Sequence, residues 1–283
     1  MTAWLPLVAM PVLVMIVVPR HWPAWAFMWI LSAAIFFGCK WLTWHLRRPR
    51  TAPVWRHVAY LVLWPGLDAD AFLENRRLPT PLGRGEWAWA AANVGAGALL
   101  FWGVARQLGG GTLTAWVGMT GIILVLHFGT FHLLSCAWRR VGLDARPLMV
   151  RPMASQSLTE FWGRRWNTAF RDLAHRFLFQ PLTRRLGPRG ALGVGFLFSG
   201  VVHDVVISWP AQGGYGLPTL FFVAQGGGLL LERSRLGRRN GLGQGMRGRL
   251  FAAGMLLLAV PLLFHAPFVR SIVLPFMRDM GAL

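Results

Sequence analysis

Charge is scarce in this chain. Of its 283 residues, 14% are charged, where a soluble domain of that length carries about 25%. The shortfall excludes an ordinary water-soluble globular domain. Cysteine is nearly absent as well: Cys39 and Cys136 are the two present, both inside apolar runs. Neither a disulfide framework nor a cysteine-built metal site can come from them, and no metal is expected. Lysine is reduced to Lys40 and the acids number ten, so the basic excess is almost all arginine. The N-terminus has no basic stretch ahead of its first apolar run and no small-residue cleavage site. Met1–Val18 therefore reads as a retained first span rather than a signal peptide.

What is abundant is apolar and aromatic: 55% hydrophobic residues, with 16 Trp and 19 Phe. A helix needs about 20 apolar residues to cross a bilayer. Runs of that order predict spans at Ala3–Val18, Trp22–Trp44, Trp87–Ala105, Ala115–Trp138, Gly190–Trp209, Gly216–Leu231 and Leu250–Phe268, the first and sixth being short. Val58–Pro65 is too short to span; Pro65, Gly66, Asp68 and Asp70 make it an interfacial or re-entrant piece. The expected fold is an all-α polytopic membrane protein with about seven transmembrane helices plus interfacial or re-entrant helices. With no internal repeat or low-complexity tract, one membrane-embedded domain over 1–283 is expected, with a motif core at 155–232.

The net charge of +19 sits in the gaps between apolar runs, which points to membrane topology rather than nucleic acid. With the N-terminus inside, the inner face receives Lys40, Arg47, Arg48, Arg50, Arg56, Arg76, Arg77, Arg84, the arginines from Arg139 to Arg189 and those from Arg233 to Arg249. That is 25 of the 29 bases. The outer face keeps Arg20, Arg106, Arg270 and Arg278. An N-in, C-out topology follows, with anionic lipid headgroups as natural contacts of the inner face. Richness in Gly, Ala and Arg suggests a high-GC bacterial source and an inner membrane.

One stretch carries the polar chemistry. S-Q-S-L-T-E-F-W-G-R-R-W-N, Ser155 to Asn167, leads through a basic aromatic segment to S-G-V-V-H-D, Ser199 to Asp204. Ser157 or Thr159 can cap a helix, with Glu160 placed as in a capping box. Trp162, Trp166, Ala169, Leu173 and Phe177 then recur at helical spacing, predicting one amphipathic interfacial helix that Pro181 and Gly187-Pro188 break. His203 lies inside the fifth span, with Ser199 one turn earlier on the same face. Gly193, Gly195 and Gly200 thin that helix for close approach.

A neutral imidazole there can take a proton from a hydroxyl; a structural histidine bonding a partner helix is the competing reading. Asn167 can donate to an oxyanion or be a helix-surface amide, and Trp162 and Trp166 can be interface anchors. His127, His132 and Cys136 on the fourth span read as interhelical hydrogen bonders rather than haem or metal ligands, as do Asn93 and Gln225, although Gln225 can face a tunnel. Glu232 is expected to pair with a neighbouring arginine, and His265 to be structural.

F-W-G-R-R-W-N followed by S-G-V-V-H-D resembles the wax synthase-like branch of the membrane-bound O-acyltransferase family, from about Leu158 to Glu232 and more weakly at L-W-P-G-L-D, Leu63 to Asp68. The resemblance implies acyl transfer from acyl-CoA, a co-substrate rather than a cofactor, to the hydroxyl of a lipophilic alcohol. It implies His203 as general base, and Asn167 as the residue that aligns the thioester or steadies the intermediate. Phe161, Trp162, Arg164, Arg165 and Trp166 fall in the acyl-CoA passage, with Ser199 and Gln225 as further substrate contacts. Asp204 stands where plant wax synthases carry Glu, and Gln225 in F-F-V-A-Q-G where they carry a second His. Two readings of other classes remain: a transporter using His203 and Asp204 as a proton relay, and a non-catalytic lipid-binding relative.

Overall fold

In hydrocarbon a backbone must satisfy its own hydrogen bonds, and a helix does so within one segment. The computed structural model follows that rule. It describes residues 2–19, 21–47, 51–74 and 79–283, which form helices and loops, with no strand among the described residues. Arg20, Arg48, Arg50, Arg76 and Arg77, counted above towards orientation, lie outside the described residues.

Among the described residues, five helices are long and apolar enough to cross a membrane: α2 (Ala24–Arg47), α5 (Glu86–Leu108), α6 (Thr112–Arg140), α8 (Thr168–Ala211) and α11 (Gly245–Leu263). They match five of the seven expected spans. The first and sixth expected spans are also helices, α1 (Leu5–Val17) and α9 (Leu217–Arg233), but of 13 and 17 residues. The protein is an integral membrane protein built of apolar helices, whose lipid-compatible faces carry exposed residues such as Leu5, Ile16, Leu257 and Leu258. Between them lie α3 (Val54–Leu63), α4 (Ala69–Glu74), the motif helix α7 (158–165) and α10 (Arg235–Arg239).

The chain divides into two compact units, Met1–Leu148 with Val273–Leu283, and Met149–Ile272. In the first, fully buried Lys40 donates from Nζ to the Gly66 carbonyl at 2.7 Å, with Nζ 3.3 Å from the Tyr60 ring centroid. That bond pins the L-W-P-G-L-D segment to α2. In the second, α8 packs along α9 and α9 along α11. Gly200 makes the first contact possible: a Cβ there would lie 2.6 Å from the Thr219 Cα, so a larger residue would force the helices apart.

Two apolar clusters fill the second unit. Leu158, Leu192, Leu229 and Ala252 form one; Phe221, Phe222 and Ala259 form the other. Trp162 and Phe196 pack against both. The motif helix is therefore wedged into the core of this unit at Trp162.

The single amphipathic helix expected across 157–177 is broken. The chain leaves helical geometry at Trp166 (φ −98°, ψ 125°) and Asn167 takes the left-handed conformation (φ 43°, ψ 60°) before α8 begins at Thr168. Asn is one of the few residues that tolerates this region, and the apolar spacing continued across the break without marking it. Pro181, expected to interrupt the helix, does not. A wider π-type turn, His175–Phe179, lies just before it. The break comes at Gly187 (φ 68°, ψ 171°), in the Gly187-Pro188 pair also expected to interrupt it.

Candidate active site

The first turn of α7 is fully capped. Glu232, buried at the end of α9, accepts from the Leu158 N–H at 2.7 Å and the Thr159 N–H at 3.2 Å. Ser157 Oγ accepts from the Glu160 N–H at 3.0 Å, and its carbonyl from Phe161 N–H. The N–H groups of Leu158, Thr159 and Glu160, which have no partner within the helix, are thereby all satisfied. Glu232 thus partners backbone N–H groups rather than the arginine expected; Arg233 bonds Thr159 Oγ1 instead. Glu160 reaches back one residue further than a capping box, to the Gln156 N–H at 2.7 Å. That N–H first, then the Arg165 guanidinium, holds the Glu160 carboxyl below the usual carboxylate range.

Arg165 is fully engaged. Its Nε donates to Glu160 at 2.7 Å and its Nη1 to the carbonyls of Val150 and Arg151 at 3.1 and 3.2 Å. Arg164, next to it, is exposed, with no ion pair or hydrogen bond among the described residues. Trp166 stacks on buried Phe161 at 5.6 Å. The F-W-G-R-R-W run therefore points Phe161 and Trp162 inward, uses Arg165 as a brace and leaves Arg164 outside.

Trp162 connects the motif to His203. Its Nε1–H donates to Gln225 Oε1 at 3.3 Å, and Gln225 Nε2 donates to the Met255 carbonyl at 2.8 Å. Gln225, wholly buried, ties three segments together through this pair of bonds. The Trp162 ring meets Phe196 and Phe222, each at 5.8 Å, and Phe222 lies 4.3 Å from the His203 ring. One aromatic wall therefore runs from the motif to the intramembrane histidine. Phe196, Phe221 and Phe222 were not singled out from the sequence; the F-F pair four residues before Gln225 was the available signal.

His203 is oriented by its own helix. Nδ1 lies 2.7 Å from the Ser199 carbonyl oxygen. A carbonyl can only accept, so Nδ1 carries the proton and, in the neutral ring, Nε2 holds a free lone pair. No described residue bonds Nε2. Ser199 thus meets the ring through its backbone rather than its hydroxyl. Asn167 is used in the same half-committed way. Its Oδ1 accepts from the Phe170 N–H at 3.4 Å, capping α8, while no described residue accepts from Nδ2. His203 thus keeps a free acceptor and Asn167 a free amide donor. No hydrogen bond joins them among the described residues.

Asp204 is spent on structure. It accepts from Ser208 Oγ at 2.9 Å, Gly216 N–H at 2.8 Å, Thr219 N–H at 3.0 Å and the Thr219 hydroxyl. Four donors on two oxygens leave it no role as a proton acceptor for His203. No hydrogen bond joins Asp204 to the His203 ring among the described residues.

In the other unit, Glu86, His132 and Cys136 bring metal-type donor atoms within 4.8 Å of one another. Arg139 fills that set: its guanidinium bonds both Glu86 oxygens and lies 3.6 Å from Cys136 Sγ. His132 makes the expected interhelical bond, to Glu86 at 3.1 Å. Asn93 instead donates to the Trp89 carbonyl of its own helix at 2.8 Å.

Residues 145–224 match the family described as membrane bound O-acyl transferase. The resemblance carried by F-W-G-R-R-W-N and S-G-V-V-H-D is thereby borne out, and the match holds every site residue expected from the sequence except Gln225, one position beyond it. A long-chain-alcohol O-fatty-acyltransferase of Simmondsia chinensis is 33% identical over 102 residues, covering 30% of this chain and 27% of that protein. A probable long-chain-alcohol O-fatty-acyltransferase 9 of Arabidopsis thaliana is 29% identical over 147 residues, covering 46% and 42% respectively. The matches span less than half the length of these curated relatives.

Proposed function

We propose that the protein is a membrane-bound O-acyltransferase that moves a fatty acyl group from acyl-CoA to the hydroxyl of a lipophilic alcohol. The observation that carries this reading is the free Nε2 of His203 beside an aromatic wall that begins in the family motif. In the proposed reaction Nε2 takes the alcohol proton as the oxygen attacks the thioester carbonyl. The tetrahedral oxyanion receives the Nδ2–H of Asn167. Collapse breaks the C–S bond, and the departing thiolate takes the proton from the imidazolium, giving ester and free CoA. Trp162, Phe196 and Phe222 offer the acyl chain an apolar lining, and Arg164 offers the CoA phosphates a free guanidinium fork. Arg165, fully used as a brace, is assigned to holding the motif rather than to CoA. We place the basic loops and the N-terminus on the cytoplasmic side of a bacterial inner membrane, which puts Arg164 where soluble acyl-CoA arrives.

The test is twofold. Lipid mass spectrometry of membranes with and without the protein should reveal an ester series whose alcohol names the acceptor. Purified protein given palmitoyl-CoA and that alcohol should release CoA and form the ester, and His203→Ala should do neither. An unchanged lipid profile together with no CoA release from any long-chain alcohol would remove the reading.

A further inference from the structure

Ser208, His265 and Asp204 form a chain of bonds that the reaction above does not use. His265 lies just past α11, 3% exposed. Its Nδ1 accepts from the Phe268 N–H at 3.2 Å, so that nitrogen carries no proton and Nε2 does. Nε2 lies 3.1 Å from Ser208 Oγ and therefore donates to it. Ser208 Oγ passes its own hydrogen to Asp204 Oδ1 at 2.9 Å. Serine, histidine and aspartate thus meet, but in the wrong order for a nucleophile: the imidazole donates to the serine and cannot take its proton. Gly214 (φ 75°) presses its backbone on the His265 ring, where any Cβ would collide with the ring atoms. The ring has one place to sit.

Asp204 and Ser208 are the first and last residues of the π-type turn Asp204–Ser208, which begins directly after His203. The other bonds of Asp204 go to Gly216 and Thr219, at the start of the helix that carries Phe222. The relay therefore fixes the turn that leaves His203 and the helix that His203 rests on. Such wide turns are an uncommon geometry that recurs at functional sites, and here it has a named set of restraints.

We propose that His265, acting through Ser208 and Asp204, is a positioning residue for His203, setting the direction in which Nε2 points. This rests on His203 being the base. The two bonds of His265 can be separated. Gln at 265 keeps a donor near the place of Nε2 and loses the acceptor for Phe268; Asn keeps the acceptor near the place of Nδ1 and loses the donor to Ser208.

The experiment compares the full-length protein with His265→Gln, His265→Asn, Ser208→Ala and His265→Asn/Ser208→Ala, measuring kcat, KM and melting temperature. His265→Gln should stay within about threefold of the parent kcat, while His265→Asn and Ser208→Ala each lose about tenfold or more with KM unchanged. The double variant should lose no more than the worse single, because both cut one path. An Asn variant as active as Gln, losses confined to melting temperature or KM, or a double variant that multiplies the two effects would each overturn the proposal. A second readout separates this from failure of the base assignment: the rate at which diethyl pyrocarbonate modifies His203, followed by peptide mass spectrometry. It should change at least severalfold in His265→Asn and not in His265→Gln, whatever reaction His203 serves. Equal rates in the two variants would sink the positioning role even if His203→Ala is inactive.

Discussion

Two histidines in the same unit carry their protons on opposite nitrogens. His203 gives its Nδ1–H to a helix carbonyl and leaves Nε2 open. His265 takes a backbone N–H on Nδ1 and gives Nε2–H to a serine. Both are polar rings in apolar surroundings, and residue type alone does not separate them. Bookkeeping of the hydrogen bonds does: one ring is saturated at both ends and can only hold structure, the other is oriented at one end and unused at the other. The same contrast holds for the carboxylates. Asp204 and Glu232 have every available oxygen occupied by helix-start donors, so neither competes with His203 for the role of base.

The sharpest way to break the comparison is to remove each ring. His203→Ala should cost about 10²–10⁴-fold in kcat, the range of a general base, with the melting temperature little changed. The loss for His265→Asn should be at least tenfold smaller than that of His203→Ala, a positioning effect rather than a chemical one. If the two losses are equal, the distinction between open and saturated histidines is wrong.

Asn167 offers the next test, because its cap and its donor can be separated. Asn167→Asp keeps an oxygen for the Phe170 N–H and tolerates the left-handed backbone, but removes Nδ2–H. It should stay folded and lose about 10²–10³-fold in kcat, the size of one oxyanion donor. Wild-type rates in that variant would leave Asn167 a cap and nothing more.

A saturated group should register in stability before activity. Glu232→Gln turns one of its two acceptor oxygens into a donor facing the Thr159 N–H, and should destabilise the protein by about 1–3 kcal/mol, an unsatisfied buried bond. Thermal unfolding in detergent would read it. A large activity loss without a stability loss would move Glu232 from the structural class to the chemical one.

The smallest expected effect is the pH dependence of the Glu160 brace. The folded carboxyl is held below the usual range, so its contribution is present above the unfolded value of about 4.3 and fades as pH falls through the lower folded value. The melting-temperature gap between wild type and Glu160→Gln should be constant from neutral pH to about 5, then close in stronger acid. A gap that closes already between pH 7 and 6 would show that some other group carries it.

Much of this was legible in the sequence, and the failures have physical causes. The five long helices follow from run length and composition, and His203 stood out because a polar ring inside an apolar span is costly. Its tautomer was not legible, since it depends on a backbone carbonyl meeting one ring nitrogen. The break at Asn167 was masked by apolar residues whose spacing happens to continue across it. The partner of Glu232 lies 74 residues away in the chain, and a neighbouring arginine was the natural local choice. Phe222 gave no signal beyond the F-F pair ahead of Gln225, yet it is the ring through which Trp162 and His203 share a wall.

The assignment of the base rests on which nitrogen of His203 is protonated. Nitrogen-15 NMR of histidine-labelled protein in detergent micelles reads this directly, with His203→Ala and His265→Asn supplying the assignments. The expected result is a neutral His203 ring protonated on Nδ1 and a neutral His265 ring protonated on Nε2 at neutral pH. A His203 ring protonated on Nε2 would contradict it, because the nitrogen facing the substrate would then have no lone pair with which to take the alcohol's proton.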